Sequence, residues 1–176
     1  MRSAIFTSGN QAYQVSNIIY AGPVHAIPED RRRNDCTHSF KIVTVVGATF
    51  SYYKNEESAR KSRNMLGAML DELKPDAFKH GYDFIDPLHI ISFGNVVQFK
   101  KAQGEYTHGF AIMVDTVQEK SQELWIRYKS DDYAQKGRKA MWAIIHNALG
   151  FGMSKTAEPA VAAAAVSQPE TQNMPF

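Results

Sequence analysis

Apolar and polar positions alternate along this chain in two distinct periods. From Val15 to Ile27 β-branched and aromatic residues dominate, and the run breaks at Gly22-Pro23, where proline removes a ladder donor and predicts a kink or bulge. Phe40 to Val46 and Phe110 to Val114 follow a period of two and predict strands, with Phe40, Ile42, Thr44 and Val46 sharing one face. The period then lengthens. Leu66, Met69, Leu70 and Leu73, and later Met141, Ile144, Ile145 and Ala148, fall at i, i+3, i+4, i+7, the stripe of an amphipathic helix with one buried side. Asn55-Glu56-Glu57 and Ser130-Asp131-Asp132 open these helices with a capping residue and first-turn acids. Leu73-Lys74-Pro75 closes the first, and Leu149-Gly150 the second.

The pattern occurs twice. Cys36-Thr37-His38-Ser39-Phe40-Lys41-Ile42 returns as Tyr106-Thr107-His108-Gly109-Phe110-Ala111-Ile112. Ile18 to Val24 pairs with Ile90 to Val96, so Gly94-Asn95 falls where the first copy has Gly22-Pro23, and Thr49 to Lys54 pairs with Leu124 to Lys129. A period of roughly 70 residues is too long for a solenoid repeat and suits a sheet-plus-helix half-domain. The sequence therefore predicts an α+β protein of two tandem strand-strand-strand-helix repeats, with antiparallel sheets, one helix packed per repeat and an internal pseudo-two-fold. Its expected organisation is an N-terminal arm over 1–14, one globular domain over 15–152 built from repeats 15–74 and 88–150, and a flexible Ala/Pro/Gln tail over 153–176. Residues 76–87 read as a connector.

Composition narrows the class without naming a partner. The chain is 44% hydrophobic and 22% charged with a net charge of +2, ordinary for a globular protein and too mild to single out a polyanion. No run approaches the ~18 apolar residues of a membrane span, and Met1 to Gln14 lacks the apolar centre of a secretory signal, so a cytoplasmic protein is expected. One cysteine, Cys36, excludes an intramolecular disulfide framework and the multi-cysteine metal motifs.

Candidate chemistry is sparse. The six histidines have no metal-ligand spacing; His38 and His108, each at a strand entrance, read first as structural. Cys36 is replaced by Tyr106 in the second copy and has no histidine-asparagine signature beside it, and phosphate-binding glycine loops are absent. No enzyme, cofactor or metal is expected. A surface is the better candidate: Phe50, Tyr52 and Lys54 share one strand face, and Trp125, Arg127 and Lys129 share the corresponding face of the second copy, opposite Leu124, Ile126 and Tyr128. Rings beside cationic stems suit single-stranded DNA or RNA, whose bases stack on the rings while phosphates meet the cations. Arg31, Arg32 and Arg33 and the pair Lys100 and Lys101 would extend the positive track. The same rings could equally seal a seam between halves or subunits.

Tandem sheet-plus-helix units resemble in layout the Whirly-type and PUR-type single-stranded nucleic-acid binders, although no sequence motif is shared. Met174-Pro175-Phe176 is similar to the Pro-Phe ends of bacterial single-stranded-DNA-binding proteins, without their acidic tip, and implies a protein partner for the tail. The leading expectation is a non-enzymatic single-strand binder that is monomeric or homo-oligomeric. One alternative is a protein that sequesters a small symmetric or cyclic nucleotide where Arg63 and Arg138, whose basic helix positions also repeat, converge on it at a subunit interface; the other is a structural or assembly protein with no small ligand.

Overall fold

The computed structural model describes residues 4–32, 34–117 and 121–149. Arg33, the helix stop at Gly150, the 153–176 tail and its Met174-Pro175-Phe176 end lie outside the described residues. Two antiparallel sheets each carry one helix. The first sheet contains β3 (Ile18–Ala21), β4 (His25–Ala26), β5 (His38–Thr44) and β6 (Gly47–Tyr53), followed by α1 (Glu56–Leu73). The second contains β9 (Ile90–Phe93), β10 (Val97–Gln103), β11 (Tyr106–Val114) and β12 (Gln122–Tyr128), followed by α2 (Asp131–Ala148). Neither α helix is long and apolar enough to cross a membrane.

Two segments differ from the sequence expectation. Residues 5–14, expected as a polar arm, form a hairpin of β1 (Ile5–Ser8) and β2 (Gln11–Gln14), turned at Gly9 with φ +57°. Phe6 anchors it, fully buried and 6.4 Å from the Phe40 ring. The expected connector likewise holds a hairpin, β7 (Phe78–His80) and β8 (Asp83–Ile85), turned at Gly81, also at φ +57°. Strands this short bury too few side chains to give a readable period; the Gly9-Asn10 and Gly81-Tyr82 turns were the available signal, since glycine alone adopts positive φ without strain.

The hairpins end up in different settings. β8 pairs with β3, Tyr20 opposite Ile85 and Ala21 opposite Phe84, so the first sheet runs β7-β8-β3-β5-β6, with β4 beside β3 on the same flank of β5. The β1–β2 pair stands as a two-stranded sheet of its own. In the second sheet β9 and β10 share one flank of β11, and β12 takes the other.

Each helix closes one core. Asn55 accepts the Ser58 amide at 2.8 Å and Ser130 the Tyr133 amide at 3.4 Å, so both helices begin where their caps predict. Leu66 and Leu70 of α1 pack with Phe6, Phe40 and Ile42, and β8 inserts Phe84 among them. Met141 and Ile145 of α2 pack with Phe78, Phe110, Ile112 and Ile126, and this second core takes in Ile19 and Val43 from the first sheet. Val46, expected on the Phe40 face, lies exposed just beyond the end of β5.

A difference between the cores explains a helix glycine. In the first, the Tyr53 hydroxyl donates to Ser62 Oγ at 2.6 Å. In the second, the buried Tyr128 hydroxyl has no partner among the described residues and occupies the space that a side chain at Gly137 would need. Gly→Ala inside a helix ordinarily stabilises by about 1 kcal/mol. Here Gly137→Ala should instead destabilise by about 1–3 kcal/mol through overpacking, measured by urea unfolding; a stabilised variant would contradict this packing of Tyr128.

Candidate nucleic-acid interface

The rings on β6 and β12 face away from the helices and lie open to solvent. Strand alternation requires it: Ser51 and Tyr53 of β6 point toward α1, and Leu124, Ile126 and Tyr128 of β12 point into the second core. On the opposite faces Phe50 is 45%, Tyr52 49% and Trp125 37% exposed. Phe50 and Tyr52 lie 6.3 Å apart, close enough to act as neighbouring platforms, and Phe99 of β10 meets Trp125 edge-on at 5.7 Å. The Trp125 indole donates to Glu123 Oε1 at 2.7 Å, which fixes the ring's tilt.

The expected cations divide into three groups. Lys54, Lys100 and Lys101 are exposed. Lys129 is paired with Glu105 at 2.7 Å, which raises its pKa, while Arg31 and Arg32 lie 3.9 and 3.5 Å from Asp30 and Glu29. Arg127 departs most from expectation. It is half-buried rather than projecting from an open sheet, its Nε has no partner among the described residues, and burial, with a smaller part from the Arg127 charge, lowers the His25 pKa. Arg127 therefore belongs to the seam between the sheets.

Two residues on the candidate surface were not singled out from the sequence. Phe99 sits in a strand whose polar residues hide its period, and Lys41 lies in β5 directly opposite Phe50. Side chains directly opposite on an antiparallel pair share a face, so Lys41 and Phe50 lie on the same side of the first sheet. The Lys41 Nζ donates to Gln122 Oε1 at 3.5 Å, and partial burial lowers its pKa.

The alternative arginine pair has a different geometry. Arg63 is only 4% exposed; its Nε donates to Gly22 O at 2.8 Å, and Nη2 donates to Ala21 O at 3.0 Å and also to Tyr82 O. Arg138 donates from Nε to Gly94 O at 2.8 Å and lies over the Phe93 ring. The hollows beside Arg63 are lined in part by Pro23, Val24, Arg60 and Tyr82, and Arg138 lines neither. Within one chain the two guanidiniums brace different loops.

His38 and His108 also have structural roles. Thr37 Oγ1 donates to Lys54 O at 2.8 Å and Thr107 Oγ1 to Lys129 O at 2.7 Å, while each hydroxyl oxygen lies 2.8 or 2.9 Å from Nδ1 of the next histidine. Since the hydroxyl proton is engaged by the carbonyl, Nδ1 must carry hydrogen and donate. Each Thr-His pair thus ties the entrance of a central strand to the residue just before a helix cap.

Comparisons with protein-family models, curated proteins and solved structures gave no match to this chain.

Truncating the two arginines should have unequal effects. Arg63→Ala removes a buried donor from three carbonyls and should cost about 3 kcal/mol, whereas Arg138→Ala should cost about 0.5 kcal/mol; chemical denaturation of both variants measures the difference. Equal losses would contradict a structural role particular to Arg63.

Proposed function

We propose that this protein binds single-stranded nucleic acid without catalysing a reaction, along the helix-free faces of two copies of one folding unit. The observation that carries the proposal is the solvent exposure of Phe50, Tyr52 and Trp125 on the sides of their sheets opposite the helices. Aromatic faces held by rigid strands lose little entropy when a base stacks on them, and each stacked base contributes roughly 1–3 kcal/mol whatever its identity. Lys54, Lys41, Lys100 and Lys101 supply the phosphate contacts. Arg127 and Lys129, one in the seam and one ion-paired, take at most a secondary part.

The two-unit reading has support beyond the sequence repeat. Each unit would comprise a hairpin, a short helical turn, a broken strand, two long strands and a helix. The hairpins share their register, Phe6 opposite Tyr13 and Phe78 opposite Ile85. The broken strands share an irregularity that leaves Ile19 unpaired in one and Ile91 in the other, and the Thr-His ties coincide. Pairing between the units runs one way: β8 joins β3, while β2 pairs only with β1 and β9 only with β11 among the described residues. A two-fold would require the reciprocal β2–β9 pair, so a head-to-tail relation fits better than the pseudo-two-fold expected from the repeat.

Trp125→Ala should leave the melting temperature within a degree or two and weaken binding to a labelled single-stranded oligonucleotide by about 1–3 kcal/mol. Wild-type affinity should fall steeply with added salt as lysines release counterions from the strand. Unchanged affinity in the variant, or no oligonucleotide binding even at low salt, would sink the proposal.

A further inference from the structure

We infer that the unpaired edge of β2 docks on the unpaired edge of β9 in a second copy of this chain, joining chains head to tail. The inference rests on the two-unit reading, and the template lies inside the molecule, where β8 of the second unit already docks on β3 of the first. In unit order β2 corresponds to β8 and β9 to β3. Among the described residues one such joint is made, with one complementary pair of edges left over.

Exposure follows this asymmetry. Ile19, beside the docked hairpin, is 0% exposed; Ile91, the same residue at the corresponding irregularity, is 56% exposed. β3 is buried at all four positions, whereas β9 leaves Ile91 and Ser92 exposed. On the hairpin side, Ala77 is buried in the first core while Ile5, its counterpart, is exposed. An exposed strand edge with apolar side chains is a template for pairing with another chain.

Size complementarity identifies the occupant as this chain. Within the molecule Ala21 lies opposite Phe84; the corresponding intermolecular pair is Phe93 opposite Ala12, with large and small exchanged. Tyr20 opposite Ile85 becomes Ser92 opposite Tyr13, so the tyrosine changes strand while the joint keeps one. The Arg63 bridge also has a half-made counterpart. Arg63 donates to Gly22 O in its own unit and to Tyr82 O at the tip of the docked hairpin, whereas Arg138 donates to Gly94 O, and Asn10 O of a second copy is the acceptor that corresponds to Tyr82 O. Beside β2 lies an open concavity of about 490 Å³, lined by Gln11 to Gln14 and the Thr44 to Thr49 turn, on the flank where the partner's edge would enter.

The joint uses different surfaces on its two sides, so it propagates into a ring or an open filament instead of stopping at a symmetric dimer. Light scattering on the full chain without nucleic acid should give a particle larger than one chain that grows with concentration or closes at a fixed size. Ile91→Lys disables one side. Ala12→Pro removes an outward amide on the other, and Ile5→Glu disables that side while leaving every backbone bond intact. Each variant alone should be a monomer with wild-type circular dichroism and melting. An equimolar mixture of Ile91→Lys with Ile5→Glu retains one functional surface on each chain and should give a dimer and nothing larger. A wild type that stays monomeric at tens of micromolar concentration overturns the docking. Assembly that persists in all three variants overturns the correspondence of units on which the inference rests. Strand binding, read separately through Trp125→Ala, is untouched by either result.

Discussion

A strand edge must be covered, and in this molecule the cover for β3 is the β7–β8 hairpin. Ile19, Tyr20 and Ala21 are all buried once β8 is in place, and Asp86 continues the ladder by donating its amide to Ile19 O at 2.8 Å. Buried polar groups hold the joint. Lys74 spans from Asp86 at 2.6 Å to Ile18 O at 2.8 Å, and Arg63 binds carbonyls on both sides of the junction. A cation taken out of water is tolerable only where its donors are matched, which carbonyls turned outward at the end of a broken strand achieve. The Gly22-Pro23 break therefore does more than end a strand: it turns Gly22 O toward α1.

Near this junction lies a small buried polar cluster. The Tyr20 hydroxyl donates to Asp83 Oδ1 at 2.7 Å; burial drives the Asp83 carboxyl upward in pKa, against the opposing pull of Tyr20, His80, Arg63 and Arg127. The His80 ring packs against Tyr128 at a tilt, with centroids 4.2 Å apart, and its Nε2 lies 3.1 Å from Arg127 O, linking the hairpin to the second sheet. These contacts make Arg127 a residue of the junction, because the face it occupies on β12 turns toward the first sheet whereas Trp125 stays clear of it. Two residues on one strand face need not share an environment when a second layer covers only part of that face.

That point marks what the sequence discloses. The helices are legible because an eighteen-residue amphipathic segment repeats its period several times, and the caps at Asn55 and Ser130 need only local hydrogen bonds. Exposure of Phe50, Tyr52 and Trp125 is legible for the same reason: alternation fixes the face once Leu124 and Ile126 are assigned to the core. The hairpins are not legible, since their strands are only three or four residues long and which of their side chains are buried, Phe6 in one and Phe78, Phe84 and Ile85 in the other, depends on partners distant in sequence. Nor are the roles of Arg63 and Arg138 distinguishable from spacing. The same residue at the same helix position is buried in one case and half-exposed in the other, according to whether a hairpin covers the neighbouring edge.

The edge constraint and the aromatic faces bear on one another. A strand edge is used up by docking, but the face of its sheet is not, because ladder bonds run in the plane of the sheet and side chains stand perpendicular to it. Head-to-tail addition through β2 and β9 would therefore leave Phe50 and Tyr52 on β6, and Trp125 on β12, where they are, and would repeat them in every chain added. A flexible strand held on one such platform meets the next at high effective concentration, so modest stacking at each site multiplies into tight overall binding. The proposed self-association through the sheet edges and the proposed strand binding on the sheet faces are thus compatible in geometry and would reinforce one another in energy, so that a ring or filament of these units would bind long strands far better than short ones.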